Sequence, residues 1–382
     1  MPYESIDKIQ IALAKSVFKN KGDKKKAAGR ALGTIVELIT YFWLKKHGFR
    51  NDLSIEHKLF EFGNSEIRHN VEFGLHPIVD EKKIIINHNS GVSLTAKKFK
   101  KSLATLPDLE SFEGIAFEGE NIVDKNNLIK NSNVVFKNDD FFVTLNVDSI
   151  NAKSNEISVT ATRLNVDPYA IVECKRVGIE DGARKGPTTI EKAKQGAYVA
   201  KHSSKLQKIK DENGVAYGVI PVGDGKFNIE EYHVLLKKLI DSKDPVKLKS
   251  IVLTVGITSN HGNWFTASNM NKELKVLEQS YDWLLFLKDA ALVEFVNDLI
   301  LNKIGPTNKA FRYTYSGNRK KNEPNRLTKS KILYEAFYEI DNYFGNHWTK
   351  INDHWFEILG PNKRAIAHLV EELKNLKGVT WK

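Results

Sequence analysis

A glutamate and a lysine two residues apart end an apolar segment of this chain. The segment runs from Tyr169 to Lys175, reads YAIVECK, and contains Glu173. Side chains two apart on a strand point to the same face, so this carboxylate and this ammonium group would lie side by side. A carboxylate that holds a divalent metal ion, beside a lysine that positions or activates water, is suited to phosphodiester hydrolysis. The pattern therefore predicts a hydrolytic metal site at the end of a buried strand.

Strand context separates this pair from other acid-x-lysine triplets in the chain. Glu56 and Lys58, for example, alternate with polar neighbours, which is typical of a half-exposed strand. A buried strand ending in two charges needs a reason, because unpaired buried charge is costly. The alternative is a strand end at which Glu173 and Lys175 are merely solvated or paired.

The elements around this segment alternate between helix and strand. Apolar residues at helical spacing predict a helix over 30–47 that ends at Gly48. Period-two patterns and turn residues predict a hairpin from 141–150 and 156–164. Further segments predict strands at 53–62, 169–177, 215–222 and 250–257, and helices from Thr188 and over 229–240. Strands interleaved with helices favour an α/β fold.

The composition divides the chain into two regions. Residues 1–269 carry the α/β pattern, with a mixed stretch near 63–135 that is interpreted as an insertion. From residue 270 to 382 the pattern becomes mainly helical and amphipathic. We expect this second region to form an added helical domain that serves DNA recognition or dimerisation.

The run DDFFV followed by YAIVECKR resembles the PD-(D/E)xK nuclease superfamily, which includes many type II restriction endonucleases. The resemblance implies a mixed sheet flanked by helices, with an aspartate at the start of one strand meeting the E-x-K of a later strand. Asp140 matches that aspartate, and Glu173 and Lys175 match the E-x-K. Asp148 is the alternative upstream ligand, and the sequence leaves the choice open.

Helices on either side of the sheet offer further candidates under this resemblance. Glu37, in GRALGTIVELITYFWLKKHGF, matches an acidic helical position that supports the metal shell, although it could be a simple exposed acid. Lys192 and Gln195, on the helix after the E-x-K, are candidate DNA contacts.

The resemblance also implies a reaction, its metal ion and the roles of the site residues. It implies Mg²⁺-dependent cleavage of double-stranded DNA that leaves a 5′-phosphate, with Asp140 and Glu173 as metal ligands. The side chain of Cys174 is expected on the other face of the strand, and its carbonyl is a further candidate ligand. Lys175 would position or activate the water. A type II restriction enzyme commonly acts as a homodimer, because two-fold symmetry matches a palindromic site. The alternatives are a repair or recombination nuclease with structural specificity, an RNA-processing nuclease, and a non-catalytic DNA-binding protein.

Charge and one loop agree with a nucleic-acid partner. The chain has 58 basic and 47 acidic residues, a net charge of +11, which favours a polyanion. The segment FRYTYSGNRKKNEPNR at 311–326 combines aromatic residues with basic ones and would reach around DNA, unless it is only a solvated loop. Its candidate contacts are Arg312, Arg319, Lys320, Lys321 and Arg326.

The remaining composition excludes other classes. Cys174 is the only cysteine, so neither an intrachain disulfide nor a zinc cluster is expected. The N-terminus does not read as a signal peptide, and no apolar stretch reaches the roughly 20 residues of a membrane span. We expect a cytoplasmic protein.

Overall fold

A computed structural model describes most of the chain. The described residues are 5–18, 22–61, 64, 66–89, 91–103, 121–151, 153–178, 188–249, 251–261, 270, 272–302, 328–360 and 364–379. They form an α/β fold whose central sheet is mixed, as predicted. None of the described helices is long and apolar enough to cross a membrane.

The strands of the described residues fall in four sheets. In chain order they are β1 Leu53–Phe60, β2 Arg68–Leu75, β3 Ile78–Asn87, β4 Leu94–Thr95, β5 Asn121–Val123, β6 Leu128–Lys130, β7 Asn133–Lys137, β8 Phe141–Asn151, β9 Glu156–Asn165, β10 Ala170–Gly178, β11 Gln207–Lys210, β12 Ala216–Gly223, β13 Lys226–Glu231, β14 Leu253–His261, β15 Trp283–Leu287, β16 Lys331–Leu333 and β17 Phe356–Gly360.

The helices surround these sheets. They are α1 Ile6–Ser16, α2 Lys24–Lys46, α3 Ala96–Leu103, α4 Thr188–Ser203, α5 Tyr232–Ser242, α6 Pro245–Leu248, α7 Lys272–Ser280, α8 Asp289–Val296, α9 Tyr334–Asn346, α10 Trp348–Lys350 and α11 Ile366–Lys377, with π-helical turns at Asn297–Leu301 and Ile351–Trp355.

The central sheet has the order β1-β2-β10-β14-β15-β17. β10, β14 and β15 are parallel, whereas β1, β2 and β17 join by antiparallel pairing. Helices cover both faces of β10, so its apolar residues read as a continuous buried run rather than an alternating one. Helix α2 lies on the face of Cys174, whose thiol contacts Thr40, and helix α4 lies on the face of Glu173.

Helix α2 begins earlier than its apolar pattern predicts. Its first turn is polar, and the Asp23 side chain accepts from the Lys26 N–H at 3.0 Å, which caps the helix. Gly48, with a φ of 90°, follows the last turn as expected. Most of the helix is buried, so α2 is the central helix of the core.

The chain between β2 and β10 builds the inserted region. It forms the sheet β3-β9-β8-β7 and supplies three strands of the sheet β16-β6-β5-β4. The hairpin predicted over 141–164 is present as β8 and β9, but it lies in this inserted sheet and not beside β10. The insertion thus begins after β2 rather than near residue 63, because Arg68–Leu75 pairs with β1 and β10.

The residues from 270 onward are not a helical unit of their own. Strands β15 and β17 complete the central sheet, and Trp283 is fully buried there. Helix α9 packs on α2, with the ring of Phe42 lying 5.0 Å from that of Phe337 and 5.5 Å from that of Phe344. This region therefore shares one core with the first half of the chain.

Candidate active site

Glu72 and Glu173 lie side by side where β2 and β10 separate. The antiparallel ladder between these strands ends with the pair Phe73 and Val172. Glu72 and Glu173 are the adjacent residues just beyond this pair, so they lie opposite each other. The Glu72 N–H donates to Oε1 of Glu173 at 2.9 Å, and the Cys174 N–H donates to Oε2 of Glu72 at 2.6 Å. Beyond the ladder, the N–H groups of Glu72 and Cys174 thus donate to side-chain carboxylates instead of to backbone carbonyls. Both glutamates are buried.

Lys175 lies against both carboxylates. Its Nζ donates to Oε1 of Glu72 at 2.9 Å and lies 3.3 Å from Oε2 of Glu173. The side chains of Glu173 and Lys175 leave the same face of β10, as the two-residue spacing predicts. About one third of the Lys175 side chain remains exposed, so the ammonium group can meet a substrate.

Lys329 brings a second ammonium group to the site. Its Nζ lies 3.4 Å from Oε2 of Glu37, 3.5 Å from Oε1 of Glu56 and 3.6 Å from Oε1 of Glu72. The lysine side chain is 5% exposed. Glu37 thus reaches the site from α2 through a shared contact with Lys329.

Two lysines against four glutamates leave this cluster with a net charge of −2 when all six groups are ionised. Burial first, and then repulsion from Glu72, raise the pKa of Glu173 to about 7. The same two causes raise the pKa of Glu37 to about 7, against the opposing effect of Lys329. The cluster therefore holds more negative charge than its lysines balance.

The lysines keep their protons in this environment. Burial lowers the pKa of Lys175, but Glu72 and Glu173 outweigh it, so the net shift is upward. The pKa of Lys329 is also raised, because Glu72, Glu37 and Glu56 outweigh the effect of burial. Both are therefore cations at neutral pH, which suits them to charge stabilisation rather than to accepting a proton.

Helix α4 packs on the site through a glycine. A Cβ added at Gly196 would lie 2.1 Å from Cγ of Glu173 and 2.9 Å from its Cδ. Only a residue without a side chain lets the helix approach Glu173 this closely. Gly196 therefore sets where the Glu173 carboxylate lies.

Cys174 contributes its backbone. Its thiol faces α2, with Sγ 3.2 Å from Oγ1 of Thr40, and burial raises the pKa of this thiol well above its usual value. The N–H of Cys174 points toward Glu72. In an extended strand the carbonyl of a residue points toward the same neighbouring strand as its N–H, so this carbonyl points to the β2 side of β10.

The two aspartates considered as upstream ligands lie elsewhere. Asp140 is exposed in the turn between β7 and β8, where its N–H donates to Oδ1 of Asn138 at 3.0 Å. Asp148 is held by Arg50 at 2.8 Å and by Thr160 at 2.7 Å. Neither contacts Glu173, and the structure brings Glu72 to the position that the sequence assigned to Asp140. The reason is that β8 pairs within the inserted sheet and not with β10.

The predicted DNA contacts are only partly described. Gln195 is exposed on α4 and lines a cavity of about 810 Å³ together with Lys194 and Tyr198. Lys192 lies on the same helix, and its side chain is outside the described part. The basic candidates of the 311–326 segment also lie outside the described residues: Arg312, Arg319, Lys320, Lys321 and Arg326.

Sequence reasoning missed Glu72 and Lys329, and it set Glu56 aside as part of a half-exposed strand. A signal for Glu72 does exist, because Val71, Phe73 and Leu75 alternate with polar residues, the pattern of a half-buried strand. No local pattern marks Lys329, which reaches the site only through the tertiary fold.

The donor set suits a hard divalent cation. Carboxylate and carbonyl oxygens are ligands that Mg²⁺ prefers, and with all six groups ionised the net charge of −2 would match one such ion. In this structure the described residues contain no group of three or more His, Cys, Asp or Glu side chains already gathered as a metal site. Lys175 and Lys329 lie among the carboxylates instead.

Comparison with known proteins yields no relative. No protein-family profile, curated protein or solved structure matches this chain. A function for it is therefore argued from its residues and their geometry.

Proposed function

We propose that this protein is a Mg²⁺-dependent endonuclease that cleaves double-stranded DNA, of the type II restriction kind. The observation that carries the proposal is the contact network of Glu72, Glu173 and Lys175 at the separation of β2 and β10. Two buried carboxylates with a protonated lysine are suited to metal-assisted phosphodiester hydrolysis.

The order of elements around this network supports a restriction-endonuclease-like core. An acid on a helix, Glu37, precedes the sheet, an acid on an earlier strand, Glu72, meets the E-x-K on a later one, and helix α4 follows. The resemblance of YAIVECKR to the PD-(D/E)xK superfamily leads to the same expectation. Glu72 departs from the usual aspartate, and it precedes Glu173 by 101 residues because the insertion lies between them.

Each residue of the site has a separate role in the proposed reaction. Glu72, Glu173 and the carbonyl of Cys174 would hold the ion, and Glu37 would support them from α2. A bound Mg²⁺ supplies a polarised phosphate and a water of lowered pKa. Lys175, which keeps its proton, would orient the attacking water and stabilise negative charge on the phosphate. Helix α4 excludes solvent from Glu173 on its other side.

The partner and assembly are inferred from charge and resemblance. A net charge of +11 favours a nucleic-acid polyanion, and the exposed Gln195 on α4 offers one polar contact to it. A homodimer, which the resemblance implies, would match the two-fold symmetry of a palindromic site.

One experiment tests the proposal. Supercoiled plasmid is incubated with the protein in Mg²⁺ or in EDTA, and Glu173→Gln and Lys175→Met are compared with the wild type. Discrete Mg²⁺-dependent fragments that both substitutions abolish are the expected result. A smear would instead favour a nuclease that reads DNA structure, and gel-shift without cleavage would favour a non-catalytic DNA-binding protein.

A further inference from the structure

Lys329 occupies a cation position inside the carboxylate cluster. Its Nζ lies 3.4 to 3.6 Å from oxygens of Glu37, Glu56 and Glu72. We infer that Lys329 is a positioning residue, the resident counter-cation of these glutamates, and that a divalent cation entering the cluster competes with its ammonium group. The inference rests on the metal site of the proposed function and adds the residue that sets its affinity.

The fold holds the Lys329 backbone firmly. The Asn131 side chain donates to the Lys329 carbonyl at 3.1 Å, and the Asn131 N–H donates to the Ser330 carbonyl at 2.8 Å. β16 then pairs with β6 of the insertion. Lys329 lies two residues before this edge strand, and its side chain is only 5% exposed, so the fold places the ammonium group inside the cluster.

The Lys329 ammonium group interacts with three glutamates at once and forms no short contact with any of them. All three distances exceed the 2.7–3.2 Å typical of a good hydrogen bond. A lysine ammonium is a compact point charge without a fixed donor geometry. The glutamates therefore give up only long contacts when they turn from Lys329 to another cation.

Glu56, which contacts this lysine, has an unusual backbone conformation. Its φ is 55°, a left-handed conformation that is costly for a residue with a side chain. The β1–β2 register flanks it with Ile55 opposite Phe73 and His57 opposite Val71, so Glu56 lies across from Glu72. In this conformation Glu56 keeps 61% of its side chain accessible and still contacts Lys329 at 3.5 Å.

Binding of Mn²⁺ in the absence of DNA tests the inference. Isothermal titration calorimetry compares the wild type with Lys329→Gln, and with Lys329→Arg as the matched variant that keeps the charge. Lys329→Gln is expected to bind Mn²⁺ at least 10-fold more tightly, and Lys329→Arg to stay within about 3-fold of the wild type. Unchanged or weaker binding by Lys329→Gln would overturn the inference.

Thermal unfolding covers the case in which Lys329→Gln is unstable. If Lys329 balances the glutamates, Mn²⁺ can replace it, so Mn²⁺ should raise the Tm of Lys329→Gln by more than that of the wild type. A variant that stays unfolded with saturating Mn²⁺, or whose Tm rises no more than the wild type's, contradicts the inference.

Plasmid cleavage separates this inference from the proposed function. If Lys329→Gln binds Mn²⁺ more tightly but the wild type cleaves no nucleic acid, the inference stands and the nuclease proposal fails. If the wild type cleaves DNA but the Mn²⁺ affinity does not depend on Lys329, only the inference fails.

Discussion

The Glu72 N–H donates to Oε1 of Glu173 at 2.9 Å, across the point where β2 and β10 part, although 101 residues separate the two in sequence. The carboxylate of Glu72 in turn accepts from the Cys174 N–H and from Nζ of Lys175. One residue thus ties together the backbone and both charged side chains of the E-x-K segment. Because of these reciprocal contacts, we expect Glu72 and Glu173 to act together in any reaction at this site.

The first prediction distinguishes Glu72 from Asp140 as the upstream acid. Glu72→Gln should lower the rate of Mg²⁺-dependent plasmid cleavage by about 100-fold or more, because the substitution removes one charged ligand from the site. Asp140→Asn, at an exposed turn, is the matched control and should cleave within about 3-fold of the wild-type rate. The assignment is wrong if the two variants behave in the opposite way.

The sequence was sufficient for the local part of the site. The strand YAIVECK, helix α2 with Glu37 and helix α4 were all predicted, because each has its own hydrophobic period or capping signal. The hairpin of β8 and β9 was also predicted. Its place in the molecule was not, because hairpin patterns specify pairing within the hairpin but not the sheet that receives it.

The remaining contacts of the site depend on pairing between strands that are far apart in the sequence. Glu72 reaches Glu173 only because β2 pairs with β10 across the insertion. Lys329 reaches Glu72 only because β16 pairs with β6. Strands β15 and β17 lie in a region whose composition is dominated by helices, and their short apolar runs cannot be told from buried helix by periodicity.

The second prediction concerns the close approach of α4. Gly196→Ala would place a Cβ 2.1 Å from Cγ of Glu173, so the carboxylate or the helix must move. We expect a loss of about 1–3 kcal/mol in the free energy of unfolding and at least a 10-fold loss of cleavage rate. Urea unfolding and plasmid cleavage measure the two effects.

Gly33→Ala on α2 is the matched control for this substitution. Nothing lies within 4 Å of its added Cβ, and alanine is a better helix former than glycine by roughly 1 kcal/mol. We expect this variant to keep its activity and to be slightly more stable. Equal effects at both glycines would mean that contact with Glu173 is not the cause.

The third prediction is a pH dependence of divalent-cation binding. Glu37 and Glu173 have pKa values raised to about 7, through burial and the repulsion of Glu72. A raised carboxyl pKa means that protons compete with the metal at and below this pH. Mn²⁺ affinity should therefore fall as the pH drops from 8 to 6, with proton release on binding.

Calorimetry in buffers of different ionisation enthalpy measures this proton release. Glu37→Gln removes one of the two groups, so it should release fewer protons at pH 6.5 than the wild type does. Proton release that is absent in the wild type, or identical in the variant, would contradict the role of these carboxyls.

The fourth prediction is acid destabilisation through a buried histidine outside the candidate site. His57 is 8% exposed, and its ring stacks on Phe142 with 4.8 Å between centroids. Burial, with a smaller effect of Lys137, lowers the pKa of His57 to about 4 from 6.5. A folded-state pKa below the unfolded value gives stability that is complete above pH 6.5 and is lost as the pH falls toward 4. At pH 5 the loss from this residue is roughly 2 kcal/mol.

Urea unfolding of His57→Leu at pH 7.5 and pH 5 measures that loss. The variant should lose less stability between the two pH values than the wild type, because it has no imidazole to protonate on unfolding. Some dependence should remain, since burial lowers the pKa of the neighbouring His76 well below its usual value. His354→Leu, at an exposed position, is the control and should retain the full wild-type loss. If His57→Leu retains it as well, protonation of His57 does not drive the acid transition.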